Sequence, residues 1–378
     1  MLIPPGQNGF KPMRGSTNHP WKSRSILSII LMLVFTLLSG CIPATPTASP
    51  TAIPSPTATA SPARPTQTPT LRPSPTPTLP PLGTEGNPIT IGFIRTPEEI
   101  QAIDAIEEIA ILLAEDTGYF IEYLVYPDFQ SLTGAILNGD VHLFWLKPLE
   151  YLYLHQAGAA EVVLMTNHLG VYAYGVQFMA HAARGFRSYY DSEASESTLG
   201  PNAALQQFSG TRPCYLNEES IPGYLVPRGL LASGSIPTLD PIFVFDYSAV
   251  VRALYIQGIC DFGVSYALTG DPRSAGDILQ NLPNAQNQIQ IIWQSEGIIP
   301  NTNLSASTTL PLVYQQRMQE AFLDLPETPQ GLDMISQALN YEVEALKTIE
   351  DDFYQPLRST LAPLNLELEA FVIKEPIP

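Results

Sequence analysis

The chain has 378 residues, 37 of them proline, with 18 basic and 36 acidic side chains and a formal net charge of −18. An acid excess of this size excludes nucleic acid and anionic lipid surfaces as electrostatic partners, because phosphate backbones select cationic faces. Any site for an anion would have to be local and built from backbone dipoles.

Lys11, Arg14, Lys22 and Arg24 precede an apolar run from Ile26 to Leu38, and Leu38-Ser39-Gly40-Cys41 follows. That order predicts a secretory signal over 1–40 with a bacterial lipobox, so that Cys41 becomes the lipidated first residue of the mature chain. An apolar run of about 13 residues is short against the roughly 20 that span a bilayer as a helix, which disfavours an uncleaved anchor. Several acyl chains, at roughly 0.8 kcal/mol per buried methylene, would hold the protein to a membrane where one chain would not. Residues 41–87 are dominated by Pro, Thr, Ser and Ala and contain about a third of the prolines. Such a composition cannot bury a core and favours polyproline II, which predicts a disordered, semi-rigid stalk reaching ~120 Å at ~3.1 Å per residue. With Cys41 committed to lipid, Cys214 and Cys260 remain, both in apolar strand-like runs. They read as two buried thiols or, in an exported protein, as a disulfide.

The remaining residues alternate strand and helix patterns. Ile89 to Ile94 is a strand, and the segment from Pro97 to Thr117 places Ile100, Ile103, Ile106, Ile109 and Leu113 at helical spacing. Strands over 120–126 and 141–145 alternate with helices over 128–137 and 149–157, and two further strands are expected at 162–166 and 172–179. A polar stretch over 188–207 reads as a surface excursion. A second series then starts: a strand over 211–216, a turn and a helix, a strand over 242–245, a helix over 248–257 and a strand over 259–265. Another strand over 289–293 and helices over 313–325 and 329–339 follow. Repeated β-α-β with short links predicts parallel sheets covered by helices, with ligands at the carboxyl ends of the strands.

The turn in the second series reads Asn217-Glu218-Glu219-Ser220-Ile221-Pro222-Gly223-Tyr224-Leu225-Val226-Pro227. It resembles the Asp-Pro-x-Ser-Thr-Ser-Gly-Tyr/Phe-Leu-x-Pro turn of the phosphate/phosphonate-type periplasmic binding proteins of ABC transporters. The alignment on Gly223 puts Ser220 on the first hydroxyl position, Ile221 on the Thr and Pro222 on the second Ser. Two hydroxyls and one backbone N–H are therefore lost. Hydrogen bonds to a charged group contribute roughly 1.5–3 kcal/mol each, so tight phosphonate binding is not expected of this turn.

Other segments resemble the same family in the same order. Phe129-Gln130-Ser131-Leu132 resembles a helix opening whose usual Tyr is replaced by Phe129. Gly139 to Pro148, with Tyr151 beyond it, resembles Gly-x-x-Asp-(Val/Ile)-Ala-Trp-(Tyr/Leu)-Gly-Pro, with His142 in place of the Asp and Lys147 in place of a Gly. Lys147 reads as a ligand contact or as a lysine reaching to water, and His142 as a structural hydrogen-bonding residue. Tyr172 and Tyr174 occupy a crossing where the family places a Tyr that closes over the ligand; both also fit as core aromatics. Ser248 stands where the family often has a ligand-facing His, and Asp261 either holds a strand-to-loop turn or faces the cleft. Ile291 to Asn301 resembles the family's Val-(Ile/Leu)-Trp-x-Ser-x-x-Ile-Pro-(Asn/Gly), with one extra residue.

The resemblance implies an α/β, two-lobed type II periplasmic binding protein fold with a central cleft between two mixed or parallel sheets. Lobe 1 would comprise 88–171 and 296–378, and lobe 2 would comprise 172–295. It implies an extracytoplasmic lipoprotein, not an enzyme, that captures a small polar solute, phosphonate- or phosphate-like anions included, and delivers it to an ABC permease. A ligand-sensing or adaptor lipoprotein of the same fold is the alternative. The expected ligand contacts are Phe129, Lys147, Tyr151, Tyr172, Tyr174, Ser220, Ile221, Gly223, Tyr224, Ser248 and Asp261. A monomer with no cofactor, no metal and no nucleic acid partner is expected, since no phosphate loop, nucleophile elbow, Cys-x-x-Cys or metal-spaced His pair occurs.

Overall fold

The computed structural model describes residues 79–373 apart from positions 97 and 329. The predicted signal, Cys41 and the proline-rich stretch up to residue 78 lie outside the described residues. Among those described, no helix is long and apolar enough to cross a membrane.

The chain opens with parallel β-α-β units. β1 (Ile89–Ile94) leads into α1 (Ile100–Thr117), whose buried Ala102, Ala105, Ile106, Ile109 and Leu113 recur at helical spacing. Gly118 ends α1 at φ 72°, in the left-handed region that glycine enters without a Cβ clash. β2 (Ile121–Tyr126) pairs parallel with β1; α2 (Phe129–Asn138) follows, and β3 (Leu143–Leu146) joins the other side of β1, again parallel. α3 (Pro148–Gln156) and β4 (Ala160–Asn167) complete this stretch.

The chain then crosses to a second sheet. After β5 (Ala173–His181) comes an excursion with β6 (Tyr190–Asp191), β7 (Glu196–Ser197) and α4 (Pro201–Ala204). β8 (Pro213–Tyr215), α5 (Val226–Ser233), β9 (Ile242–Phe243), α6 (Tyr247–Ile256) and β10 (Phe262–Ala267) form the second α/β series. α7 (Gly276–Asn281) and α8 (Ala285–Gln288) precede β11 (Ile289–Gln294). β12 (Ile299–Pro300) pairs with the start of β5, and the chain returns to the first sheet as β13 (Asn303–Ser307). α9 (Leu312–Asp324), α10 (Gly331–Leu339), β14 (Ala345–Thr348), α11 (Gln355–Leu361) and α12 (Leu368–Val372) close the fold.

The strand order is β14-β4-β13-β3-β1-β2 in the first sheet and β11-β5-β10-β8-β9 in the second. Both are mixed: β1, β2 and β3 are parallel while β13 runs against β3 and β4, and β8, β9 and β10 are parallel while β5 runs against β10 and β11. Two helix-covered mixed sheets, connected through 168–172 and 301–302, make the two-lobed α/β architecture that the sequence leads one to expect.

Several features differ from the sequence reading or complete it. β13 lies mid-sheet although its Asn-Leu-Ser-Ala-Ser carries no hydrophobic run. Leu304 and Ala306 enter one core, while fully buried Asn303 donates from Nδ2 to the Tyr354 hydroxyl (2.7 Å) and the Leu146 carbonyl (3.1 Å), and Ser305 donates to Asn303 Oδ1 (2.6 Å). Pairing of this kind removes the penalty of burying polar side chains in a sheet. The 188–207 excursion is pinned to β11: Tyr189 N–H donates to Ile292 O at 2.8 Å, and Ala204 and Leu205 at its end are fully buried. Cys214 and Cys260 form a disulfide with Cα atoms 5.6 Å apart. The segment after β14 was grouped from sequence with the first lobe, yet it packs on helices of both sheets, α12 on α3 and α11 on α5. At the second contact a Cβ added to Gly229 would lie 2.1 Å from the Thr360 carbonyl oxygen, so the two backbones touch.

Candidate functional site

Parallel strands end on one edge, and the helices that follow them begin there with unpaired amides, so that edge is where an α/β sheet binds ligands. After β8 the turn forms a single π-type turn over Ile221–Leu225. Ser220 caps it: Oγ accepts the Gly223 N–H at 3.0 Å and the Ser220 carbonyl accepts the Leu225 N–H at 2.9 Å. The Leu216 N–H donates to Gly223 O at 3.1 Å, which folds the turn back onto β8. Packing alone demands glycine at 223, since an added Cβ would lie 2.6 Å from Leu216 Cβ. The turn thus satisfies much of its own donor set, and Pro222 offers no N–H.

Three other helix starts along these edges, those of α2, α3 and α6, are closed by carboxylates. Asp128 accepts from Ser131 N–H at 2.7 Å at α2, Glu150 from Lys147 N–H at 2.7 Å at α3, and Asp246 from Ala249 N–H at 2.6 Å at α6. An anion approaching these termini meets negative charge where the helix dipole alone would have attracted it.

Tyrosine hydroxyls supply what the amides do not. Tyr247, the first residue of α6, stands edge-on to Tyr266 of β10 with ring centroids 4.8 Å apart. Tyr174 of β5 lies within electrostatic reach of Tyr247 and of Tyr341, which precedes β14 of the first sheet. Tyr341 stacks on His168 with ring centroids 4.4 Å apart. The cluster therefore draws from both sheets. Burial pushes the Tyr247 phenol up to about 12 and drives Tyr174 and Tyr341 well above the ordinary range. All three remain O–H donors at neutral pH. Lys147 and Lys347 are the lysines of the described residues. Lys147 is exposed at the start of α3, while the Lys347 ammonium lies 4.1 Å from the Tyr172 ring centroid and 4.7 Å from that of Phe353.

The residues singled out from sequence fall into two groups. Ser220, Ile221 and Gly223 share the turn, and Tyr174 lies in the tyrosine cluster. Tyr172 carries Lys347 in the crossing between the sheets. Phe129 is buried edge-on to Tyr153. The remaining residues have their polar atoms engaged inside the chain. Tyr151 is fully buried and donates to Asp351 at 2.7 Å; Tyr224 accepts from Arg228 at 2.8 Å and packs on Tyr215 and Phe243. Ser248 donates to Asp277 at 3.0 Å. Asp261 lies at the amino end of β10, opposite the turn, where it accepts from Arg212 N–H at 2.7 Å and pairs with Arg184. His142 accepts from Thr90 N–H at 3.0 Å, the structural role expected of it. Tyr247, Tyr266, Tyr341 and Lys347 carry no motif signal and are visible only once the sheets are assembled.

A family model described as the periplasmic substrate-binding protein of phosphonate ABC transporters matches residues 91–354. The phosphate-import protein PhnD of Mycolicibacterium smegmatis is 24% identical over 228 residues, which is 57% of this chain and 65% of that protein, slightly under two thirds of its length. Among solved structures, XAC2383 from Xanthomonas citri bound to chloride superposes with a TM-score of 0.51 at 15% identity, covering 75% of this chain and 98% of that one. The same protein bound to ATP gives 0.50 at 14%, covering 76% and 99%. Similarity at this identity is one of fold.

Proposed function

The chain belongs to the family of phosphonate ABC-transporter periplasmic substrate-binding proteins, and from that premise we propose that it is a lipid-anchored binding protein that captures a small polar solute and delivers it to an ABC permease. Members of this family are extracytoplasmic transport components rather than enzymes. The observation that carries the reading is the pair of mixed sheets joined by the crossings at 168–172 and 301–302, where Tyr172 of the first crossing lies against Lys347 of β14. A solute lodged there would touch both lobes, and closure follows when its contacts favour the closed state over the open one. Lobe 1 comprises 88–171 and 296–378 and lobe 2 comprises 172–295, with the C-terminal segment resting on both. The protein acts as a monomer on a lipidated Cys41 and a proline-rich stalk. The Cys214–Cys260 bond supports an oxidising, extracytoplasmic setting.

The decisive experiment pairs calorimetry with small-angle scattering over phosphate, methylphosphonate, ethanesulfonate and a set of uncharged polar solutes. Saturable binding of at least one, with a smaller radius of gyration when bound, is the expected result. Unchanged heats and scattering across the whole set would overturn the reading. The anchor is tested separately, since Cys41→Ser should move the protein from the membrane fraction to the soluble one.

A further inference from the structure

A cavity of about 790 Å³ lies on the flank of the second sheet, within the roughly 300–1,000 Å³ range of small-molecule sites. One wall is the excursion over 194–201, the other is the segment over 293–298 that leads from β11 to β12, and Leu230 and Leu268 complete it. It shares no residue with the tyrosine cluster.

The walls are tied together without any occupant. Trp293 Nε1 donates to Leu199 O at 2.8 Å, Ser197 Oγ accepts the Gln294 N–H at 2.8 Å, and Gln294 Nε2 donates to Ser195 O at 3.4 Å. A site fixed in this way loses little freedom when a ligand arrives. Its apolar surface comes chiefly from aliphatic side chains, among them Leu199, 37% exposed, and Leu268, 38% exposed, while Trp293 lies beneath at 4%. Leu268 also sits at φ 73°, a left-handed conformation that costs a branched side chain on the order of 1–3 kcal/mol. Packing within the chain accounts for neither its exposure nor its strain.

The charge of the lining is one-sided. It contains two carboxylates, Glu196 and Glu296, and no Lys, Arg or His. Both are exposed, and neither enters an ion pair among the described residues. An aliphatic wall bearing only negative charge favours an amphipathic cation and repels an anion.

We propose that this cavity is a second ligand site and takes an organic amine, its apolar part against Leu199 and Leu268 and its ammonium toward Glu196 and Glu296. Tryptamine and indole-3-propionate share a ring and differ in the sign of their charge, so the pair isolates the electrostatic claim. The purified protein should bind tryptamine saturably and indole-3-propionate far more weakly, with slowed amide hydrogen exchange confined to 194–200 and 293–298. The double variant Glu196→Gln, Glu296→Gln should keep its melting temperature and bind tryptamine about ten-fold more weakly or worse. Four results would each overturn the assignment: no tryptamine binding up to about 1 mM, equal binding of the two probes, protection elsewhere in the chain, or an unchanged affinity in the double variant. The solute panel addresses the cleft and these probes address the flank, so either reading can fail alone.

Discussion

Gly223 shows how one residue can serve a motif and a packing constraint at once. Motif reasoning reads it as the residue that lets a ligand approach the backbone, whereas the contacts place Leu216 Cβ 2.6 Å and Ser220 Oγ 2.7 Å from the Cβ that alanine would add. Leu216 Cβ is fixed to its own backbone and cannot rotate away, so Gly223→Ala must displace the turn. Alanine's better helix propensity would return up to about 1 kcal/mol, while overpacking of this kind costs roughly 1–3 kcal/mol. The expected net effect is a loss of stability of about 1–2 kcal/mol by urea denaturation, with the Ser220 cap on the Gly223 N–H weakened. An unchanged midpoint would show that the turn shifts freely. At this scale the sequence was legible where a residue is bound to its neighbours in the chain, as Ser220 and Gly223 are. It was not legible where partners come from far away. Tyr341 stacks on His168 only through the assembled sheets, and Tyr151, in a motif position, gives its hydroxyl to Asp351, 200 residues on.

Among the elements, those with strong periodicity could be read directly. α1 buries Ile106, Ile109 and Leu113 of the predicted stripe, while Ile103 is half-buried and Ile100 at the amino end is 67% exposed, and β1 spans the predicted residues. β13 could not be read, because its stability comes from Asn303 and Ser305 bonding partners in other elements rather than from an apolar run. β14 and α11 were missed as well; they are short, and their place depends on β4 and α5. The link between β8 and β10 rests on a covalent bond. Cys214 and Cys260 are 46 residues apart, and closing such a loop in the unfolded chain corresponds to about 4 kcal/mol by the loop-entropy estimate, of which about 2–4 kcal/mol is commonly realised. Cys214→Ser with Cys260→Ser should therefore lower the unfolding free energy obtained from urea denaturation by an amount in that range. Dithiothreitol should lower the wild-type midpoint and leave the variant unchanged. If the variant matches the oxidised wild type, the strands need no such tie.

On the scale of the molecule, the two sheets are joined by more than the crossings at 168–172 and 301–302. The segment from Ile349 onward lies across both lobes, and Asp351 fastens it: Tyr151 donates to Asp351 at 2.7 Å, and Arg358 approaches with both terminal nitrogens, one of them 2.7 Å away. Burial opposes ionisation of Asp351, yet the hydrogen bonds from Arg358 and Tyr151 and the charges of Arg358 and His155 outweigh it and hold the carboxyl below its ordinary value. A carboxyl with a depressed folded-state pKa contributes stability that is fully present above its unfolded value, about 3.9, and is lost as pH falls through the lower folded value. Asp351→Asn removes that contribution at every pH. The wild type should thus exceed the variant in stability by a constant margin above about pH 5, and the margin should close below about pH 4. Hydrogen exchange localises the effect: in the variant at neutral pH, residues 349–361 should exchange faster while β1 and β10 keep their protection. If the margin persists undiminished into acid, the carboxylate charge at Asp351 is not what fastens the segment, and the packing of Tyr354 on Tyr151 and of α11 on α5 holds the lobes together without it.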